Sequence, residues 1–186
     1  MFTARPLLHL LVSGLCLVGG AYAKPPKAPS LEFLYNCNAT LLPAIEVGLG
    51  PHGTRNVIPI AGGSFSGPKL NGKYLSLTLT LAFSKRANWN FYRAGTILNL
   101  GADWGLVDNQ GVFSADTRYQ LHTSDGADIY IRTSGPAQPD GTLQLRVIFE
   151  TGSKKYWWLN NVVAIGVLTV GNGWVDINVW QLAVAT

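Results

Sequence analysis

The residues best equipped for chemistry in this chain are carboxylates in aromatic and basic company. Asp116 and Arg118 stand two apart in an alternating run over 112–123, so both point to one face of a strand. Asp103 precedes Trp104 at a glycine-rich turn. Glu150 ends the extended run 143–150 with parity opposite to Phe149, and Asp128, Tyr130 and Arg132 share one face of another strand. A carboxyl desolvated among aromatics holds its proton tightly and can exchange it near neutrality. An Arg or Tyr beside it can hold an enolate or phenolate oxygen. The expected catalytic set is therefore Asp116 or Glu150 as acid or base, with Arg55 and Tyr119 on the oxygen. Asp103, Trp104, Trp158 and Asn160 are expected to bind the ligand, Asn160 by a hydrogen bond and Trp158 by a ring face. Each has a plain structural reading too: an Asp116–Arg118 ion pair, a turn capped by Asp103, a solvent-facing Glu150, and Tyr119, Trp104 and Trp158 in a core.

Other chemistries find little support. After residue 23 the only histidines are His52 and His122, with no HxH, HExxH or CxxC spacing, so no metal is expected. The stretch from Ala61 to Pro68 is glycine-rich but lacks GxGxxG and a Lys-Ser or Lys-Thr pair, so it is no phosphate loop. Its glycines suit strand bends or close backbone approach. No GxSxG marks a hydrolase nucleophile. No cofactor is expected.

The elements that must position these residues read as strands. Leu31, Phe33, Tyr35 and Cys37 alternate with Glu32, Leu34, Asn36 and Asn38, the first set facing inward. Asp125-Gly126 joins 112–123 to 127–133 as a hairpin. Extended runs follow over 143–150 and 156–170, then a turn at Gly171-Asn172-Gly173 and a last strand over 174–184 with Val175, Ile177 and Val179 alternating. No amphipathic helix of ten residues is evident. Short strands with regular turns predict an all-β fold, a closed antiparallel barrel in one domain.

Residues 1–23 read as a secretory signal: Arg5, an apolar stretch, then Ala21-Tyr22-Ala23. The stretch falls short of the roughly 20 residues that span a bilayer. A secreted protein without stable membrane association is expected. Residues 24–30 form a flexible proline-rich leader, and 31–184 form the barrel. Cys37, alone after the signal, is expected as buried filler, and Asn38-Ala39-Thr40 is a glycosylation acceptor.

The order of several motifs then resembles the DUF3237 (UPF0311) family. They are Gly53-x-Arg55; Ile58-Pro59-Ile60-x-Gly62-Gly63-x-Phe65-x-Gly67-Pro68; Gly101-Ala102-Asp103-Trp104; Asp116-x-Arg118-Tyr119; Asp125-Gly126-Ala127-x-Ile129-Tyr130; Phe149-Glu150-Thr151; and Tyr156-x-Trp158-Leu159-Asn160. The resemblance implies a small closed antiparallel barrel and leaves the reaction open. Residues 72–94 depart from it, because family members pass almost directly from Gly-Pro-x-Leu-x-Gly to the apolar stretch before Gly-Ala-Asp-Trp. Alternating leucines in the segment read as an inserted strand. Codons compatible with splice signals at Gly72-Lys73-Tyr74, Ala87-Asn88 and Ala94-Gly95 read instead as a retained intron.

The full chain of 186 residues carries a formal charge of +4 and is only 13% charged. Without the signal the charge is +3. Without Lys73, Lys85, Arg86 and Arg93 as well it is −1, so the basic excess gives no case for nucleic acid. The expected partner is a small, partly apolar organic molecule. The expected activity is cofactor-free isomerisation or cyclisation of a carbonyl or phenolic compound. The alternative is a non-enzymatic ligand-binding or surface protein, and a homo-oligomer through strand edges is a third reading.

Overall fold

Apolar side chains at every second position bury one face of each strand and wet the other, and a sheet of such strands closes on its apolar face. A computed structural model describes residues 26–70 and 95–183. Its strands are β1 (Leu31–Leu41), β2 (Ile45–Gly50), β3 (Gly53–Ser66), β4 (Gly95–Val107), β5 (Phe113–Thr123), β6 (Asp128–Pro136), β7 (Leu143–Glu150), β8 (Ala164–Val170) and β9 (Trp174–Leu182). All pairings are antiparallel, in the order β1-β9-β8-β7-β6-β5-β4-β3-β2, and β1 also pairs with β3. That last pairing closes a ring of eight strands and leaves β2 on the outer half of β3. The expected closed barrel is thus the observed fold. The proposed signal and the atypical 72–94 segment lie outside the described residues.

Closure depends on β3, whose first half pairs with β2 and whose second half pairs with β1. Gly62 and Gly63 sit in the second half with φ of +130° and +150°. A Cβ on Gly63 would overlap the carbonyl oxygen of Asn38 on β1, so a side chain there would push the closing strands apart. These glycines serve close backbone approach, as the sequence suggests.

Two local readings change. A bulge between Phe33 and Tyr35 breaks the β1 alternation. Leu34 and Tyr35 are both buried, while Phe33 turns outward against the Trp180 ring at 6.0 Å. The stretch expected as extended from Tyr156 instead contains a 3₁₀ helix, Trp157–Asn161, before β8 begins. The Asp125-Gly126 hairpin is present, with Gly126 at φ +86°.

The barrel has two unlike ends. At one, the 3₁₀ segment packs Tyr156 and Leu159 into the core. Nearby, Tyr35 makes edge-to-face contacts with Phe65 and Phe149 at 6.3 and 6.1 Å, each such pair adding about 0.5–1.5 kcal/mol beyond area burial. The turns β4–β5, β6–β7 and β8–β9 lie at the other end, where the interior is not filled. An eight-stranded barrel is just wide enough to be packed by side chains or to hold one small ligand; this one does each in a different half.

Candidate functional site

The unfilled half is a cavity of about 270 Å³. Its wall is mostly aliphatic, with Ile60, Leu168, Val175 and Ile177 among the lining residues. The polar exceptions are Asp103, Thr117, Tyr119, Thr133 and Cys37. Asp103 supplies the one carboxyl of the lining. It faces Thr117 across β4–β5 and Ile58 across β3–β4, both on the inner face.

Asp103 is held from behind. The backbone N–H of Asp116 donates to its Oδ1 at 2.8 Å. Burial holds its carboxyl above the usual carboxylate range, and the nearby Asp116 charge pushes the same way. Hydrogen bonds from the Asp116 N–H and the Thr117 hydroxyl pull it back without cancelling the rise. The result is a carboxyl in a mostly apolar chamber that holds its proton more tightly than an ordinary one.

Tyr119 also lines the cavity and is buried beside Tyr35 and Cys37. The three groups are close enough to influence one another's protonation, yet neither phenol oxygen has a partner of good hydrogen-bond geometry. Burial raises both phenols, and it pushes the Cys37 thiol up to about 12, helped by Asp176. All three stay protonated at neutral pH. Cys37 is buried, as expected of a filler.

The other expected site residues do not join Asp103 and Tyr119. Asp116 lies on the outer face of β5, because Phe113, Ala115, Tyr119 and Leu121 take the inner positions. Its carboxylate meets Arg118 at 3.3 Å and Arg132 at 3.4 Å. Trp104 is outside as well, with Arg118 stacked 5.3 Å from its ring centroid. Arg55, in outward register, donates from Nη1 to the Trp104 carbonyl at 2.7 Å. Glu150 is exposed because Leu143, Leu145, Val147 and Phe149 fill the inner positions of β7. It lines an open outer hollow with Tyr130, Trp157 and Asn160. The Asn160 amide accepts from the Thr151 N–H at 2.9 Å and donates to the Thr151 carbonyl at 3.0 Å, clamping a loop. Trp158 packs against the core. His122 is on the surface, 2.7 Å from Asp128.

The sequence reading thus placed the acid–base pair at Asp116 and Glu150, where strand parity turns both outward, and gave Asp103 only a binding role. It overlooked Thr117 and Thr133. The signal was present in β5, whose odd positions carry Phe113, Ala115, Tyr119 and Leu121 while its even positions carry Asp116, Arg118, Gln120 and His122. Among the described residues no group of three His, Cys, Asp or Glu could hold a metal.

An antiparallel barrel with one enclosed acid in an apolar chamber is the class that fold and site define. The family model described as a protein of unknown function, DUF3237, matches residues 29–79 and 92–147, and the chain belongs to that family. The match omits residues 80–91, inside the segment that sequence alone set apart. The hydroalkoxylation enzyme phnH of Penicillium herquei is 32% identical over 172 residues, covering 92% of this chain and 96% of the relative. A UPF0311 protein of Rhodopseudomonas palustris is 24% identical over 157 residues, covering 74% and 88%. Among solved structures, a β-barrel-like protein of Acinetobacter baumannii is similar with a TM-score of 0.66 and 31% identity, covering 87% of this chain and 99% of its own. An enzyme from Penicillium herquei is similar with a TM-score of 0.60 and 29% identity, with the same coverage. Enzymatic activity is therefore found among relatives of this barrel.

Proposed function

We propose that the chain is a cofactor-free cyclase that adds a substrate hydroxyl across a carbon–carbon double bond of the same molecule inside the cavity. One observation carries the reading: the one carboxyl of the lining, Asp103, stands in a mostly apolar chamber that makes it harder to ionise than usual. The kinship with a hydroalkoxylation enzyme supports this reaction over other proton transfers. Asp103 gives its proton to one alkene carbon, and the π pair forms the new C–H bond. The hydroxyl oxygen attacks the adjacent electron-poor carbon and closes a cyclic ether. The proton released by that oxygen returns to the Asp103 carboxylate. Atoms and charge balance, and the product has the mass of the substrate. Aliphatic walls keep water from competing for the cation.

The test is incubation of the purified chain with alkenyl phenols and alkenyl alcohols, with cyclic ethers of unchanged mass read by chromatography and mass spectrometry. Asp103→Asn should lower turnover by about 10²–10⁴-fold, the usual weight of a general acid. Equal turnover in that variant would sink the assignment. Saturable binding without product across the panel would favour a ligand carrier. Secretion, with a glycan on the exposed Asn38, remains part of the proposal.

A further inference from the structure

We infer that a belt on the outside of the barrel, formed by Arg55, Trp104, Asp116, Arg118 and Arg132, positions the Asp103 carboxyl and sets its proton affinity through the wall. The inference rests on the reading of Asp103 as the cavity acid.

Asp103 faces inward on β4 and Asp116 faces outward on β5, with only the thickness of one sheet between their side chains. They are joined by the Asp116 N–H bond to Asp103 Oδ1 at 2.8 Å. That oxygen is engaged as an acceptor, so the carboxyl proton belongs on Oδ2. The belt fixes the two backbone segments that define this geometry. Trp104 follows Asp103 directly, and its carbonyl is held by Arg55 at 2.7 Å. Its ring lies 5.3 Å from the Arg118 guanidinium, which reaches Asp116 at 3.3 Å. Arg132 grips the same carboxylate from β6 at 3.4 Å. Half-exposed pairs of this kind add little to stability. Their consequence here is electrical, because charges behind a low-dielectric wall act on the acid with less screening than in water.

Among the other groups facing Asp103, the Thr117 hydroxyl lowers its proton affinity by a hydrogen bond, and none brings a charge. From β5 come Thr117 and Tyr119, from β6 Thr133, and from β1 the protonated Cys37, all uncharged. Strands β7, β8 and β9 present only apolar side chains to the cavity. Asp176 on β9 faces outward and bonds Asn36 at 2.8 Å. The belt therefore balances one carboxylate against Arg118 and Arg132 beside the acid, with Arg55 anchoring its far end.

Carboxyl-carbon NMR titration of the full chain tests this without any substrate, the Asp103 signal being identified by its loss in Asp103→Asn. Asp116→Asn keeps the backbone donor and removes only the outer charge, so the Asp103 midpoint should fall. Arg118→Met leaves Asp116 less compensated, so the midpoint should rise, and Arg118→Lys should bring it back toward wild type. Amide fingerprints confirm that each variant is folded. Midpoints that stay put, or that move the same way in Asp116→Asn and Arg118→Met, overturn the inference. A wild-type Asp103 titrating in the ordinary carboxylate range would instead defeat the cavity acid itself, while the differences between variants would still test the belt.

Discussion

Two aspartates at opposite ends of the barrel show how one residue type is made into two devices. At the cavity end, burial makes Asp103 costlier to ionise than an ordinary carboxyl. At the packed end, burial would raise Asp125 in the same way, but hydrogen bonds from Lys155, Thr123 and Tyr156 outweigh it and pull the carboxyl below its usual range. Lys155 Nζ reaches Asp125 at 2.6 Å, Thr123 Oγ1 donates at 2.6 Å and the Tyr156 hydroxyl at 3.1 Å. Asp125 thereby rivets the β5–β6 turn to the loop that stoppers the barrel. Donors near the carboxylate, more than depth alone, separate a proton carrier from a rivet.

The comparison breaks most visibly in activity. Asp103→Asn should abolish most turnover while Asp125→Asn, measured on the same substrate well below its melting temperature, should keep it within a few fold. In stability the order reverses. Asp125→Ala removes the shared acceptor of Lys155, Thr123 and Tyr156, so chemical denaturation should show a loss of about 2–3 kcal/mol.

Acidity sharpens the contrast, because the two carboxyls should act on stability with opposite sign. The folded Asp103 holds its proton more tightly than the unfolded chain does. Its contribution is full below the ordinary Asp range and declines as pH rises through that range to the folded midpoint. Asp125 holds its proton less tightly when folded, so its contribution is full above the ordinary range and is lost as pH falls through the folded midpoint. Thermal melts from pH 2 to 8 should show Asp103→Asn gaining on wild type as pH rises. Asp125→Asn should fall behind over the same span and approach wild type at the acid limit. A smaller effect is expected at the loop clamp, where Asn160→Ala should cost about 1–2 kcal/mol in denaturant and leave cavity ligands bound as before. The least is expected of Glu150→Gln, whose exposed side chain should change both turnover and stability negligibly.

These contrasts also mark what can be read from sequence. The period of two located the β5–β6 hairpin and the alternating Val175, Ile177 and Val179 of β9, because local alternation and turn residues determine both. The alternation of β1 failed at Leu34, where the bulge inserts a residue to meet β9 and flips Phe33 outward. Tyr156 to Asn161 read as extended because a single 3₁₀ turn leaves no period to detect. Asp103 was read at a glycine-rich turn, whereas it lies within β4 between two paired strands, and its enclosure is a non-local fact. It follows from β1 meeting β3 and from the interior being left open at one end, and neither is written in the spacing around residue 103.

The seam between the first and last strands carries a practical consequence. The Ala183 N–H donates to the Ser30 carbonyl at 2.9 Å, so Ser30 and Ala183 leave the barrel side by side. They do so at the packed end, where β1 begins and β9 finishes, away from the cavity. A tether attached beside Ser30 or Ala183 would therefore start from the end of the barrel opposite the chamber.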